Sequence, residues 1–101
     1  DRSMIYVIAT MKIRPETKDA CIAAAKVCIA GTVKEDGCVF YDLNVSVSDP
    51  SLLTFVERWT TREALAKHFD APHLKVWREQ AAKFVLERKV EIIHAGKVET
   101  L

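Results

Sequence analysis

A chain of 101 residues suffices for one domain with a single core, burying about 60 to 70 % of the unfolded chain's surface. Half of the residues are hydrophobic, which excludes general disorder, and the 15 basic and 14 acidic side chains are interspersed without a phosphate-tracking stripe. Nucleic acid is therefore not an expected partner. No apolar run approaches ~20 residues and no signal-peptide pattern is present, so no membrane association is expected.

Cys21, Cys28 and Cys38 are odd in number and form no CxxC pair. On one helix, Cys21 and Cys28 would stand roughly 10 Å apart, too far for a disulfide. A reducing, cytoplasmic location is the expectation. Asp1-Arg2-Ser3 precede Met4, an ordinary initiator, and are assigned no structural role; the domain is taken as 4–101.

Met4 to Ile13 alternates Ile5, Val7, Ala9, Met11 and Ile13 against Tyr6, Ile8, Thr10 and Lys12, a first strand with both faces partly apolar. Arg14-Pro15 stops it, and Pro15 suits a first helical turn. From Glu16 to Lys34, Ala20, Ala24, Val27, Cys28 and Gly31 predict one close-packing helical stripe. Gly37 ends that unit. Cys38 to Val47 alternates again, with Val39, Tyr41, Leu43, Val45 and Val47 opposed to Phe40, Asp42, Asn44 and Ser46.

The turn formers Ser48-Asp49-Pro50-Ser51 predict an antiparallel hairpin into Leu52 to Thr60. On that returning strand Leu53, Phe55, Glu57 and Trp59 share a face. A carboxylate thus stands between aromatic rings, and burying it requires a donor, a ligand or a proton to be handled. Thr60 with Glu63 fits a capping box starting a helix near Thr61, with Leu65, His68 and Phe69 on one side. Asp70-Ala71-Pro72 breaks it. A further helix from about His73 to Phe84 carries Leu74, Trp77, Ala81 and Phe84 inward, with Lys75, Arg78, Glu79 and Lys83 as solvated outer charges. The last strand, Arg88 to Ala95, alternates Val90, Ile92 and His94 against Glu91, Ile93 and Ala95.

The order βαββαβ is that of an α+β, ferredoxin-like antiparallel sheet with helices on one face. Tyr6, Ile8, Phe40, Val56 and Ile93 then fall on the uncovered face. That apolar patch is too large for a monomer, so a homodimer packed sheet against sheet is expected.

The group Glu57, Trp59, His68 and His73 reads as a pocket wall. His68 and His73 are either hydrogen-bonded structural histidines or a general acid/base pair flanking the strand of Glu57. No metal is expected, because their spacing across a proline does not repeat on a helix face and no HExxH or Cys/His cluster completes a shell. Phe55, Trp59 and Trp77 are core positions by default, and Tyr41 either anchors a ligand or satisfies its hydroxyl locally. Glu57 in a buried ion pair is the duller alternative. Cys38, just after a glycine turn, is the one thiol to test for reactivity. Nucleophile triads, phosphate loops and dinucleotide fingerprints are absent.

The ordered set Lys34-Glu35-Asp36-Gly37-Cys38-x-x-Tyr41, Phe55-Val56-Glu57-Arg58-Trp59, Leu65 with His68, and Pro72-His73 resembles the antibiotic biosynthesis monooxygenase (ABM) domain family. Within it, the small quinol monooxygenases are the nearest likeness, from Met4 to about Ala95. The resemblance implies a dimeric α+β barrel and, for some members, oxidation of quinols or phenols by molecular oxygen without metal, flavin or haem. On that reading Trp59, Phe55 and Tyr41 bind an aromatic substrate, His68 or His73 takes its proton and Glu57 orients the imidazole. Haem-degrading relatives use a first-strand asparagine, where this chain offers Tyr6 and Thr10, and polyketide-oxidising relatives have an asparagine where this chain has Phe55. The resemblance leaves two rivals: a cofactor-free isomerase of small hydroxyketones or sugar phosphates, and a non-catalytic binding or stress-response dimer.

Overall fold

The alternating first stretch forms strand β1 (Met4–Ile13), and a 3-10 turn at Pro15–Thr17 leads into helix α1 (Lys18–Thr32). Strands β2 (Cys38–Val45) and β3 (Leu52–Trp59) follow, then α2 (Arg62–Phe69), α3 (Pro72–Ala81) and β4 (Val85–Ala95). This computed structural model describes residues 4–101; residues 1–3, assigned no structural role from sequence, lie outside them. The four strands pair antiparallel in the order β2-β3-β1-β4. That is the ferredoxin-like α+β arrangement expected from the element order.

Register follows the alternation. Val7 stands opposite Glu57, Ala9 opposite Phe55 and Tyr41 opposite Glu57, so these side chains share the helix-covered face. β3 has the cleanest pattern of the four, with Leu53, Phe55, Glu57 and Trp59 buried in strict alternation. The hairpin before it is closed by Ser46 Oγ, which accepts from the Ser48 and Asp49 amides, and by Asp49 Oδ1, which accepts from the Ser51 amide. Such side-chain to backbone bonds replace ladder partners at a reversal.

Three local differences from the sequence pattern have physical causes. The buried stripe of α1 is Cys21, Ala25, Cys28 and Thr32, while Val27 points to solvent. The expected stripe is displaced by one residue because α1 begins only after the 3-10 turn, and a row of alanines does not fix a helix's rotation. The helix after β3 is capped by Thr61 rather than Thr60, its hydroxyl accepting from the Ala64 amide at 3.0 Å. β2 ends at Val45, leaving Val47 in the turn and exposed, and a bulge between Cys38 and Phe40 turns Val39 outward.

Two backbone features set the site. Gly37 has φ of +85°, and a Cβ there would fall 2.5 Å from the Ala64 Cβ. Only glycine makes this left-handed turn and lets α2 approach it. The turn is tied down by the Thr60 amide donating to the Gly37 carbonyl at 2.9 Å. Between α2 and α3, Ala71 is extended (φ −67°, ψ 141°) as a residue preceding proline must be, and Pro72 opens α3. That break redirects the chain so that His73 turns back toward α1.

The other sheet face carries no helix. Tyr6, Ile8, Phe40, Val56 and Ile93 lie there, with Phe40 and Ile93 41 % and 44 % exposed. The Tyr6 and Phe40 rings meet edge to face at 6.4 Å, and the Arg58 guanidinium covers Tyr6 at 5.2 Å. On the covered face, the inward side chains Arg88, Val90 and His94 of β4 remain exposed. The helices therefore leave a gap along one side of the sheet. Among the described residues no helix is long and apolar enough to cross a membrane.

Candidate active site

The gap opens into a cavity of about 320 Å³ between the sheet and α2–α3, a size at the lower end of small-molecule pockets. Val7, Ala9 and Met11 of β1 form its sheet wall, Tyr41, Phe55 and Glu57 continue it, and His68, Leu74 and Trp77 close it from the helices. The rings interlock. Phe55 stands 5.2 Å from Tyr41 and 5.5 Å, edge to face, from Trp77, while Tyr41 stands 5.2 Å from the His68 imidazole. Offset and edge-on contacts of this kind hold the walls rigid.

His68 is fully buried at the inner end of α2. Its Nδ1 lies 2.9 Å from Glu35 Oε2, and His73 Nε2 lies 2.5 Å from the same oxygen. Glu35 sits in the turn between α1 and β2, so the Gly37 reversal and the Pro72 break deliver the three side chains to one point. An ionised carboxylate only accepts. Each imidazole therefore donates the nitrogen it turns to Glu35, which leaves His68 Nε2 as the unprotonated, basic atom.

Burial pushes the His68 imidazole below its ordinary range; the hydrogen bond and charge of Glu35 partly restore it, while the charges of His73 and Arg78 depress it further. At neutral pH it is an uncharged base. The His73 ring rests on Gly31, where a Cβ would come 2.8 Å from its Cγ and Nδ1. Glycine is what allows α1 to accept that ring.

Glu57 occupies the cavity floor, and its Oε1 accepts from Trp59 Nε1 at 2.9 Å. Burial is the main cause that raises its carboxyl to about 7, with the Glu35 charge adding and the Trp59 hydrogen bond opposing. Glu57 is thus poised between acid and base near neutral pH. Burial holds the Tyr41 phenol protonated, helped by the charges of Cys28 and Glu57. Its hydroxyl lies 3.7 Å from Cys28 Sγ.

Of the residues singled out from sequence, His68, Glu57, Phe55 and Tyr41 line the cavity together. Trp59 does not: it is fully buried behind the wall, stacked at 4.8 Å on His68 and bonded to Glu57. His73 also stands outside the lining; it shares Glu35 Oε2 with His68, and the two ring centres lie 6.3 Å apart. The carboxylate that orients the imidazoles is Glu35, whereas Glu57 was expected there. Two lining residues were read otherwise from sequence, Trp77 as plain core and Arg78 as an outer charge. Cys38, the thiol marked for testing, is raised to about 11, chiefly by burial and then by Glu35 and Glu57. It is a poor nucleophile at neutral pH.

Glu35, His68 and His73 present two nitrogens and one oxygen within 4.8 Å of one another, a donor set a divalent transition ion accepts. Residue spacing hides this set, because the proline break brings together residues that no single helix face joins. The 2.9 Å from His68 Nδ1 to Glu35 Oε2 is that of an imidazole N–H donating to a carboxylate oxygen; His73 Nε2 stands closer, at 2.5 Å.

The Glu57 shift has a thermodynamic consequence. Its carboxyl rises from an ordinary 4.5 to about 7, so the folded state binds the extra proton between those values. Stability conferred by this group is fully present below about pH 4.5 and is lost as pH rises through 7, by on the order of 3 kcal/mol. Glu57→Gln keeps an acceptor for Trp59 and removes the titration. Thermal unfolding across pH 4.5 to 8 should show the variant gaining on the wild type as pH rises; a stability difference flat across that range would contradict the assignment.

The sequence and the fold match a known family. Residues 4–80 match the family model described as Antibiotic biosynthesis monooxygenase. The chain is 37 % identical over 90 residues to a Mycobacterium tuberculosis protein named "Putative monooxygenase Rv0793", covering 89 % of this chain and 87 % of that one. The solved structure of Rv0793 superposes with a TM-score of 0.82 over 96 % of this chain and 97 % of that one, at 30 % identity. The chain is also 28 % identical to the "Probable quinol monooxygenase YgiN" of Escherichia coli K12, over 92 % of this chain and 99 % of that one. The protein SO0527 of Shewanella oneidensis, 29 % identical, superposes with a TM-score of 0.87 over 94 % and 93 % of the two chains. With a family model matched over most of its length and a relative this similar over nearly all of it, the chain belongs to the antibiotic biosynthesis monooxygenase family.

Proposed function

We propose that this protein is a cofactor-independent monooxygenase that oxidises a quinol or phenolic ring with molecular oxygen. The observation that carries the reading is His68: a neutral imidazole whose Nδ1 is committed to Glu35, set in the wall of a cavity whose lining is mostly aromatic and aliphatic, with Glu57 beside it. The name of the Escherichia coli relative, a probable quinol monooxygenase, supports the same class of substrate.

A ring held among Phe55, Tyr41 and Trp77 presents its hydroxyl to His68 Nε2, which removes the proton. The resulting anion is electron-rich enough to reduce oxygen directly, and an apolar enclosure protects the reactive pair from water. For a hydroquinone the atoms balance as one oxygen entering the ring and the other leaving as water, with a hydroxyquinone as product. The ring itself supplies all four electrons. Glu57, with a carboxyl near 7, serves as a second proton acceptor or donor. His73 holds Glu35 in place, Glu35 holds His68, and Trp59 backs both His68 and Glu57.

In this reading the working unit is a homodimer. Two copies packed through Tyr6, Ile8, Phe40, Val56 and Ile93 bury the apolar face that a single chain leaves open. The three free cysteines favour a reducing, cytoplasmic compartment.

Oxygen uptake with a panel of hydroquinones should exceed the buffer rate and fall about 100-fold or more in both His68→Ala and His68→Gln, with near-native circular dichroism. Uptake unchanged in both variants would remove the oxygenase reading. Light scattering should return about twice the 11.4 kDa chain mass, and Ile8→Glu, placing a charge at the centre of the bare face, should halve it. A wild-type mass of one chain at micromolar concentration would contradict the dimer.

A further inference from the structure

The cavity wall is apolar except at its ends. At the inner end stand His68 and Glu57; at the solvent edge stand two exposed guanidinium groups, Arg78 of α3 and Arg88 of β4. We propose that the ligand taken by this cavity is a phenolic or quinol ring bearing an anionic substituent, a ring carboxylate, held by Arg78 and Arg88 while its hydroxyl reaches His68. This deepens the quinol reading above and rests on it.

The first support is that, among the described residues, neither arginine is engaged with an acid. Among the described residues the ion pairs are Lys12 with Asp49, Glu35 with the two histidines, Lys89 with Glu91, and Lys97 with Glu99. Strand alternation explains why Arg88 is free. Opposite Met11 in register it points into the covered face, while Glu87, Lys89 and Glu91 point to the other. Arg78 makes one hydrogen bond, its Nη1 donating to the Phe69 carbonyl at 2.9 Å, and its guanidinium lies 5.9 Å from the Phe69 ring centre. Four of its five N–H donors remain for a ligand.

The second support is the sign of the field inside. Glu57 is the one acidic residue in the lining, and burial keeps it largely protonated below neutral pH. The charge of Arg78 reaches His68 and opposes its protonation. An anion entering this space meets two cations and little opposing charge. Elsewhere on the surface the two signs are mixed, so a solubilising role alone does not account for two unpaired guanidinium groups on opposite walls of one cavity. Arginine binds carboxylates through paired, parallel hydrogen bonds, and the same positive field favours the deprotonated ring that the oxidation requires.

The test is anaerobic titration, following quenching of tryptophan fluorescence, with 2,5-dihydroxybenzoate and its uncharged methyl ester. The acid should bind at least tenfold more tightly than the ester at low ionic strength. That preference should shrink to less than threefold in Arg78→Gln/Arg88→Gln and persist in Lys89→Gln, which alters charge on the opposite face of β4. Raising the salt to 0.5 M should weaken the acid and leave the ester unchanged. Equal affinity of acid and ester in the folded wild type would overturn the anionic-substituent proposal alone. Failure of both to bind would overturn it together with the aromatic-ring reading of the cavity.

Discussion

One carboxylate oxygen joins three elements of this fold. Glu35 Oε2 receives His68 from the end of α2 and His73 from the start of α3, while Glu35 itself stands in the turn leaving α1. Each partner arrives because of a backbone feature rather than a long-range attraction. The left-handed Gly37 turn folds β2 back beneath α2, the Ala71-Pro72 break reverses the helical layer, and Gly31 leaves room for the His73 ring. With a half-buried carboxylate already supplied with two donors, the histidines lose their rotational freedom. The tautomer of His68 follows from that loss.

The consequence for chemistry is a division of labour between two acidic residues. Glu35 has donors on hand and acts as a fixed acceptor that decides which imidazole nitrogen carries the proton. Glu57, one strand away in a drier setting with only the Trp59 indole as donor, is pushed to about 7. Two carboxyl groups with such different surroundings take different roles. The cavity between them stays open because the helices do not extend over β4, whose inward Val90 and Arg88 complete the wall without filling it.

Much of the fold was legible in the chain because period-two alternation is a local signal. β3 shows this best: Leu53, Phe55, Glu57 and Trp59 assign their own face, and the register then aligns Tyr41 and Val7 beside Glu57. α1 was less legible, since its alanines and cysteines differ too little in size to fix which face turns inward. In the site, Glu57, His68, Phe55 and Tyr41 emerged from alternation and from the family motif. Glu35 stood in the motif without a role, because nothing in the spacing of residues 35, 68 and 73 announces a shared contact. Trp59 and Trp77 exchanged their expected places for a related reason. Both are apolar aromatic residues on inward faces, and which one borders empty space depends on where the helical layer ends.

The chemistry of the cavity depends most on the proton position of His68. Long-range nitrogen-15 correlation spectra of the imidazole rings at pH 7 report it directly. They should show His68 neutral, protonated at Nδ1 and bare at Nε2, and the Glu35→Gln variant should lose that single-tautomer signature. A His68 ring protonated at Nε2 in the wild type, or one charged at neutral pH, would contradict the assignment of a base facing the cavity.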